Sequence, residues 1–291
     1  MATLKEYNVK LVRLRSTRKL TRTMKLVSVT KLRRAQEAEK RVGRFVGKVR
    51  DFAARLAMSP GAAEHPLMMP HRNVGTVLLL LVTADRGLCG GFNSNLTKAA
   101  LEWRQGQLAR GRRVLVSCCG RRGHDFLKSR VEIERYYEGV VARPDFQQAH
   151  RIGQEIQAAF LSQRIDEVYL GWNASSGLMG YAPKFERLAP IDPALFAGSI
   201  PAATGSEDWL LEPACDELLG VALPRWLNLK VYSALLSSAV GEHGARMRAM
   251  DQASTNADNL ILQITLQRNR VRQAAITTEL TEIVAGAEAL R

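Results

Sequence analysis

Residues 1–59 of this chain read MATLKEYNVK LVRLRSTRKL TRTMKLVSVT KLRRAQEAEK RVGRFVGKVR DFAARLAMS and contain no proline. Residues 225–291 are also free of proline, since all ten prolines lie between Pro60 and Pro224. Helix interiors exclude proline because it lacks the amide hydrogen and its ring clashes with the preceding turn. The distribution therefore predicts one long helix at each end of the chain.

Both proline-free segments carry a heptad-like apolar stripe that polar residues interrupt. Helices of this length do not fit inside a compact domain, and they gain most of their stability by burying such a stripe. The pattern therefore predicts that the two helices pack as an antiparallel coiled coil with polar exceptions. The interruptions in the first segment are Arg18, Thr21, Lys25 and Ser28, and those in the last are Ser254, Arg268 and Thr278.

Positive charge is concentrated in the first segment. Residues 1–59 hold 17 Lys and Arg against 4 Asp and Glu, a difference of +13 out of the formal +14 of the whole chain. A basic helix of this kind indicates an acidic partner, which leaves nucleic acid, an anionic membrane surface and an acidic protein surface open, beside a solvated face with no partner. Zinc-finger spacing and RNA-binding aromatic motifs are absent from the sequence.

Residues 73–212 are predicted to form a separate α/β domain of Rossmann-like type. Thr76 to Thr83 is a nearly continuous Val/Leu run, as expected of a strand buried on both faces. Further strands are expected at 113–117, 167–172, 184–188 and 208–211, with helices between them. The predicted divisions are an N-terminal shaft helix at 1–59, the α/β domain at 73–212 and a C-terminal shaft helix at 213–291.

A glycine-rich turn, DRGLCGGFNSN at residues 85–95, follows the first strand. A phosphate site is one interpretation, because amides at a helix N-terminus bind anions. The lysine of a P-loop and the Gly-x-Gly-x-x-Gly pattern of dinucleotide sites are both missing, however. We favour a tight strand-to-helix connection, with Asn93, Ser94 or Asn95 capping the next helix.

The sequence contains no recognisable catalytic or metal-binding motif. The histidines show no metal-ligand spacing, and no nucleophile, base and acid fall into a recognisable arrangement, so neither a metal nor a cofactor is expected. The adjacent Cys118 and Cys119 fit no disulfide framework or zinc motif. Because neighbouring residues of a strand point to opposite faces, only one of these two is expected to face the core.

Four long motifs resemble the gamma subunit of F-type ATP synthases, and the resemblance extends over essentially the whole chain. They are TRTMKLVSVTKLRRAQ at 21–36, DRGLCGGFNSN at 85–95, EHGARMRAM at 242–250 and NRVRQAAITTELTEIVAGA at 269–287. The resemblance implies a non-catalytic central-stalk rotor that couples ion flow through a membrane ring to conformational change at catalytic beta subunits. The alternative is a basic coiled-coil protein that binds nucleic acid, and a nucleotide-using α/β enzyme comes third.

The resemblance also implies partners and a location. The expected partners are the alpha and beta subunits of the catalytic hexamer, the epsilon subunit and the membrane c-ring, with no nucleic acid. Neither a secretory signal nor an organelle presequence is evident, and the longest aliphatic run is too short to span a bilayer. The expected location is peripheral, on the cytoplasmic face of the bacterial inner (plasma) membrane.

The family's contacts between the shaft and the alpha/beta ring correspond to Met24, Lys25, Arg246, Gln273 and Thr277 of this sequence. Each of them has a solvated helix position as its alternative. The resemblance also suggests a reason for the polar interruptions at Arg18, Thr21, Lys25 and Ser28, namely that continuous apolar contacts would lock a shaft that turns inside a sleeve. It further suggests that the basic first helix faces acidic loops of the beta subunits.

Overall fold

The computed structural model describes residues 3–57, 64–176, 180–195, 212 and 214–289. Its elements, in chain order, are α1 (Leu4–Ala57), β1 (Thr76–Val82), α2 (Phe92–Leu108), β2 (Arg113–Cys119), α3 (Arg121–Leu127), β3 (Ile133–Tyr137), α4 (Phe146–Leu161), β4 (Glu167–Ser176), β5 (Gly180–Ala189), a 3-10 turn (Pro193–Leu195) and α5 (Cys215–Ala289). The predicted long helices at the two ends are present. The expected strand at 208–211 lies outside the described residues.

The chain divides into two compact units. The first, here called the helix-pair unit, consists of Met1–Val29 and Arg246–Arg291, and its helices come from α1 and α5. Arg18 contacts Asp258 and Lys25 contacts Asp251, so residue numbers rise along one helix as they fall along the other. The two helices are therefore antiparallel, as the apolar stripes predicted.

The second unit, here called the sheet unit, runs from Thr30 to Ala245. Its five-stranded sheet has the order β3-β2-β1-β4-β5. The first four strands in that order are mutually parallel, and β5 pairs antiparallel with β4. A mixed sheet of this kind agrees with the predicted α/β architecture.

Side chains from both faces of the sheet are buried. Leu78 and Leu80 of β1 pack into a core with α4 and α5, whereas Leu79 and Leu81 pack into a second core with α2 and α3. Successive residues of a strand alternate between faces, so a strand with both faces covered has a continuous apolar sequence. This explains the Val/Leu run of β1.

The expectation that only one of Cys118 and Cys119 faces a core is wrong. Both side chains are buried, Cys118 in the core with α2 and α3 and Cys119 in the core with α4 and α5. The alternation of side chains along the strand was correctly predicted. The error was the assumption that only one face of β2 is covered. Burial raises the pKa of the Cys118 thiol to about 12 and also raises the pKa of Cys119, which makes both thiols unreactive.

Candidate functional site

A buried polar contact joins the two helices of the helix-pair unit. The hydroxyl oxygens of Thr21 on α1 and Ser254 on α5 lie 2.7 Å apart, and both side chains are buried. Two positions that interrupt the apolar stripes of their helices are therefore matched to each other. A polar pair in an otherwise apolar coiled-coil seam favours one register, because a slip would break the contact between the two hydroxyls and place each opposite an apolar side chain.

Ion pairs lie on either side of this contact. The carboxylate of Asp258 accepts hydrogen bonds from Arg18 at 2.8 Å and from Arg22 at 2.9 Å, and Lys25 reaches Asp251 at 2.6 Å. The hydrogen bond from Arg18 lowers the pKa of Asp258. Arg18, Arg22 and Lys25 thus have acidic partners within the chain itself.

These contacts change the interpretation of the polar interruptions. Thr21 and Ser28 are buried rather than presented to a surrounding sleeve, and Ser28 donates a hydrogen bond to the carbonyl of Met24 at 2.8 Å. Arg18 and Lys25 form ion pairs with α5. The interruptions therefore stabilise and align the helix pair, whatever else they contact.

The five proposed ring-contact residues do not form one site in the structure. Met24 and Lys25 are half-buried on α1, and Arg246 is buried at 8% exposure on α5. Gln273 and Thr277 are exposed and lie one turn apart, where the Thr277 hydroxyl donates to the Gln273 carbonyl at 2.9 Å. Gln273 and Thr277 therefore lie together on the C-terminal part of α5, well away along the helix from Arg246.

The C-terminal part of α5 carries an exposed apolar stripe that sequence reasoning did not single out. In the register of the Arg18–Asp258 pair, the start of α1 at Leu4 lies opposite residue 272, so α5 continues past the start of its partner helix. The stripe, which follows helical spacing, consists of Ile276 (48% exposed), Leu280 (58%), Ile283 (67%) and Val284 (59%). Contiguous exposed apolar side chains mark interaction surfaces.

The glycine-rich turn is closed by contacts within the chain. The Asp85 carboxylate accepts hydrogen bonds from the amides of Arg121 at 3.1 Å and Ala142 at 3.0 Å. The Thr83 hydroxyl accepts from the Gly123 amide at 2.9 Å. The amides of Arg121 and Gly123 at the start of α3 therefore have acceptors within the chain, which ties α3 to the end of β1 and the turn after it.

The connection after β1 differs in one detail from the prediction. Helix α2 begins at Phe92 after an N-cap at Gly91, and no side chain caps it. Asn93 lies inside the helix, and its side-chain oxygen instead accepts a hydrogen bond from the Ala84 amide at 2.9 Å. Asn93 thus holds the end of β1 against α2. The tight connection is present as predicted, but this hydrogen bond stabilises it in place of a side-chain cap.

The crevice between β1 and β4 is the position at which doubly wound sheets bind nucleotides. Here Phe92 is fully buried in it, and the Asn173 amide donates to the Phe92 carbonyl at 2.8 Å. Gly241 of α5 closes the crevice, since a Cβ at that position would lie 2.9 Å from the Phe92 ring. The protein's own helix fills the space that a nucleotide would need.

The residues that the structure describes offer neither a metal site nor a membrane-spanning helix. They contain no group of three His, Cys, Asp or Glu side chains that could hold a metal ion. They also contain no helix that combines the length and the apolar character needed to cross a bilayer.

The chain combines a five-stranded α/β sheet unit with an antiparallel helix pair that carries an exposed apolar stripe, so it is an α/β protein with a coiled coil formed by its terminal helices. A family model described as ATP synthase matches residues 3–290. The chain belongs to the ATP synthase gamma-chain family.

Curated relatives support this membership over their full length. The chain is 40% identical to the ATP synthase gamma chain of Geotalea daltonii over 294 residues and 38% identical to that of Trichlorobacter lovleyi over 291 residues, with 100% of both chains covered in each comparison. Among solved structures, a chain of the Euglena gracilis mitochondrial ATP synthase matches with a TM-score of 0.67 at 17% identity, covering 99% of this chain and 94% of that chain. The central stalk of the Tetrahymena thermophila enzyme matches with a TM-score of 0.57 at 20% identity, covering 81% and 99%.

Proposed function

We propose that this chain is the central-stalk rotor of an F-type ATP synthase, which couples ion flow through a membrane ring to conformational change at catalytic beta subunits. The observation that carries this proposal is the full-length identity of 40% to a bacterial ATP synthase gamma chain. We further propose that residues 1–59 and 213–291 act as the shaft and residues 73–212 as the α/β domain. Nucleic-acid binding, the alternative that the charge left open, receives no support from these comparisons.

We propose that the chain performs no bond chemistry of its own. The crevice at Phe92 and Gly241 supports this, because Phe92 is fully buried there and α5 packs directly against its ring. Cys118 and Cys119 are buried and protonated, so they offer no nucleophile. Turnover would belong to the partner subunits, and no cofactor is required.

The proposed partners are the alpha and beta subunits of the hexamer, the epsilon subunit and the membrane c-ring. The proposed location is peripheral, on the cytoplasmic face of a bacterial inner (plasma) membrane. The matched structures support association of this fold with the ATP synthase complex, since they are structures of central-stalk, rotor and c-ring assemblies.

For contacts with the alpha/beta ring, we propose Met24, Lys25, Arg246, Gln273 and Thr277, together with the apolar stripe at the end of α5. Gln273 and Thr277 are exposed and can meet a partner directly. Lys25 already binds Asp251, so any contact it makes would be shared with that carboxylate. Arg246 is largely covered, and it would meet a partner through the small part of its side chain that stays accessible.

We propose that acidic loops of the beta subunits contact the exposed Lys and Arg side chains of α1 that belong to the sheet unit. They are Lys31, Arg34, Lys40, Arg41, Arg44 and Lys48; Arg33 and Arg50 are also exposed but form ion pairs with Glu37 and Asp51. Charge on this surface would raise the rate of association with an acidic partner and would make it sensitive to salt. Charge reversal here is a cleaner test than reversal at Arg18, Arg22 or Lys25, since those three also hold α1 to α5.

The test is ATP hydrolysis by purified alpha and beta subunits with and without this chain, after size separation of any complex. Co-elution with a marked rise in turnover is the expected result. A chain that neither joins the complex nor changes its turnover, where a known gamma chain does both, would overturn the proposal. A variant with Lys31, Arg34 and Lys40 changed to Glu should assemble more slowly, with the difference shrinking as salt is added.

A further inference from the structure

Helices α4 and α5 of the sheet unit meet at a buried polar contact centred on Asn228. The Asn228 side chain is 3% exposed and that of Gln157 is 9% exposed. The Asn228 carboxamide oxygen accepts a hydrogen bond from Gln157 Nε2 at 3.1 Å, and its nitrogen lies 2.8 Å from His150 Nδ1. A single side chain of α5 is thus bonded on two sides by side chains of α4.

Gly153 forms the floor of the notch that receives this side chain. His150, Gly153 and Gln157 are spaced by three and four residues, so they lie along one face of α4. A Cβ on Gly153 would overlap the Asn228 carboxamide oxygen, and it would lie 2.9 Å from Cγ and 3.4 Å from Cα of that residue. The notch therefore exists only because residue 153 has no side chain.

The donors and acceptors allow one arrangement of this contact. Gln157 Nε2 also lies 3.4 Å from the Pro224 carbonyl, which can only accept, so the Gln157 nitrogen is the donor in both contacts. The Asn228 oxygen then faces Gln157, and its nitrogen must donate to His150 Nδ1. Rotating or sliding α5 would break these bonds and leave the buried amides of Asn228 and Gln157 without their partners.

Apolar contacts alone would not hold α5 at one angle. The surrounding core, which includes Leu223, Trp226 and Leu227, resists separation of the helix from the sheet, but hydrophobic attraction has no preferred direction. Hydrogen bonds have narrow limits of distance and angle, and a fully satisfied buried network selects a single arrangement. Two residues further along α5, Lys230 also donates to Glu186 of β5.

We propose that Asn228, seated against Gly153 and bonded to His150 and Gln157, is the positioning residue that fixes the angle of helix α5 in the sheet unit. Torque applied to the sheet unit would reach α5 through this joint instead of being lost as rotation of the helix within its groove. This inference rests on the proposed rotor function.

The test uses the assembled ATP synthase complex in proteoliposomes with three variants of this chain, namely Gly153→Ala, Asn228→Ala and the double variant. Gly106→Ala is the matched control, since Gly106 also lies in a helix of the sheet unit and a Cβ there meets nothing within 4 Å. We measure ATP hydrolysis, ATP-driven ion uptake and the thermal unfolding midpoint of the isolated chain. We expect both single variants to hydrolyse ATP but lose ion uptake, and the control to keep both activities.

The double variant separates positioning from packing. Removing the Asn228 side chain relieves the overlap with the new methyl group, so the unfolding midpoint should rise from that of Gly153→Ala to that of Asn228→Ala. Ion uptake should remain lost because the hydrogen bonds are still absent. Recovery of uptake together with the midpoint would overturn the proposal, as would normal uptake in Asn228→Ala. A wild-type chain that fails to support hydrolysis would instead overturn the proposed function.

Discussion

The hydroxyl groups of Thr21 on α1 and Ser254 on α5 lie 2.7 Å apart in the buried seam of the helix pair. Each also lies near a carbonyl of its own helix, Thr21 at 3.0 Å from Arg18 and Ser254 at 2.9 Å from Met250. One hydroxyl can therefore donate across the seam while the other donates to its own backbone. The hydrogen bond across the seam forms only when the two helices keep this register.

The first prediction concerns the energy of this contact. Thr21→Val removes one hydroxyl and should lower the free energy of unfolding by about 1 kcal/mol, the usual net value of a hydrogen bond. The double variant Thr21→Val with Ser254→Ala should lose less free energy of unfolding than the sum of the two single changes. Each single change leaves the remaining hydroxyl without its partner across the seam, whereas the double change removes both hydroxyls. Urea denaturation of the four proteins measures this coupling, and additive costs would show that the two residues do not interact.

The second prediction concerns acid. The hydrogen bond from Arg18 lowers the pKa of Asp258 from its ordinary value of 3.8, so this carboxylate stabilises the folded helix pair above that pH. Its contribution should be lost as the pH falls from 3.8 through the lower folded pKa. Thermal melts followed by circular dichroism from about pH 6 down to about pH 2 would show this as a steeper decline in stability below pH 3.8 in the wild type than in Asp258→Asn.

Glu37→Gln is the control for the acid experiment, since the exposed Glu37 pairs with Arg33 inside α1 and does not bridge two helices. This variant should keep the acid decline of the wild type. An identical decline in Asp258→Asn would contradict the assigned role of Asp258.

The third prediction concerns the turn between β2 and α3. Gly120 has φ of 95°, and a Cβ there would overlap the Thr83 carbonyl oxygen and lie 2.7 Å from its carbon. Gly120→Ala should therefore destabilise the chain by about 3 kcal/mol or more, through backbone strain and steric overlap together. Gly111 also has a positive φ, of 75°, but nothing lies within 4 Å of its Cβ position.

Gly111→Ala isolates the backbone strain, so it should cost only about 1 kcal/mol. The difference between the two variants in urea denaturation reports the overlap with Thr83. Equal losses would mean that the β2–α3 turn relaxes away from β1 without cost.

The fourth prediction concerns the apolar stripe at the end of α5. Ile276 and Leu280 are 48% and 58% exposed, so changing both to Ser should leave the unfolding midpoint of the isolated chain nearly unchanged. If the stripe contacts the alpha/beta ring, the same change should weaken association by about 1 kcal/mol per side chain. Titration of the alpha/beta complex with the chain, read as stimulated ATP hydrolysis, measures this.

Val221→Ser is the control for the stripe. Val221 is 63% exposed but lies in the sheet unit, so its change should alter neither stability nor stimulation. Undiminished stimulation by the Ile276 and Leu280 variant would exclude the stripe as a ring contact.

Sequence reasoning was accurate where the signal was local. The absence of proline predicted α1 and the part of α5 after Pro224, although α5 begins at Cys215 and continues through Pro224. The apolar run after Gly75 predicted β1 to within one residue of its observed end. Strand β3 was missed because IERYY at 133–137 carries two charges, as suits a strand at the edge of a sheet. Its identity as a strand depends on its pairing with β2, which lies elsewhere in the sequence.

The sequence by itself determined the two terminal helices, the doubly covered strand and, through its motifs, the family. Proline exclusion and apolar periodicity act over a few residues, so they can be read without knowing what packs where. Only the tertiary structure decided that Thr21 meets Ser254, 233 residues away, and that Asn228 enters the notch at Gly153. Such contacts join residues that are far apart in the chain, so they leave no signal in the local sequence.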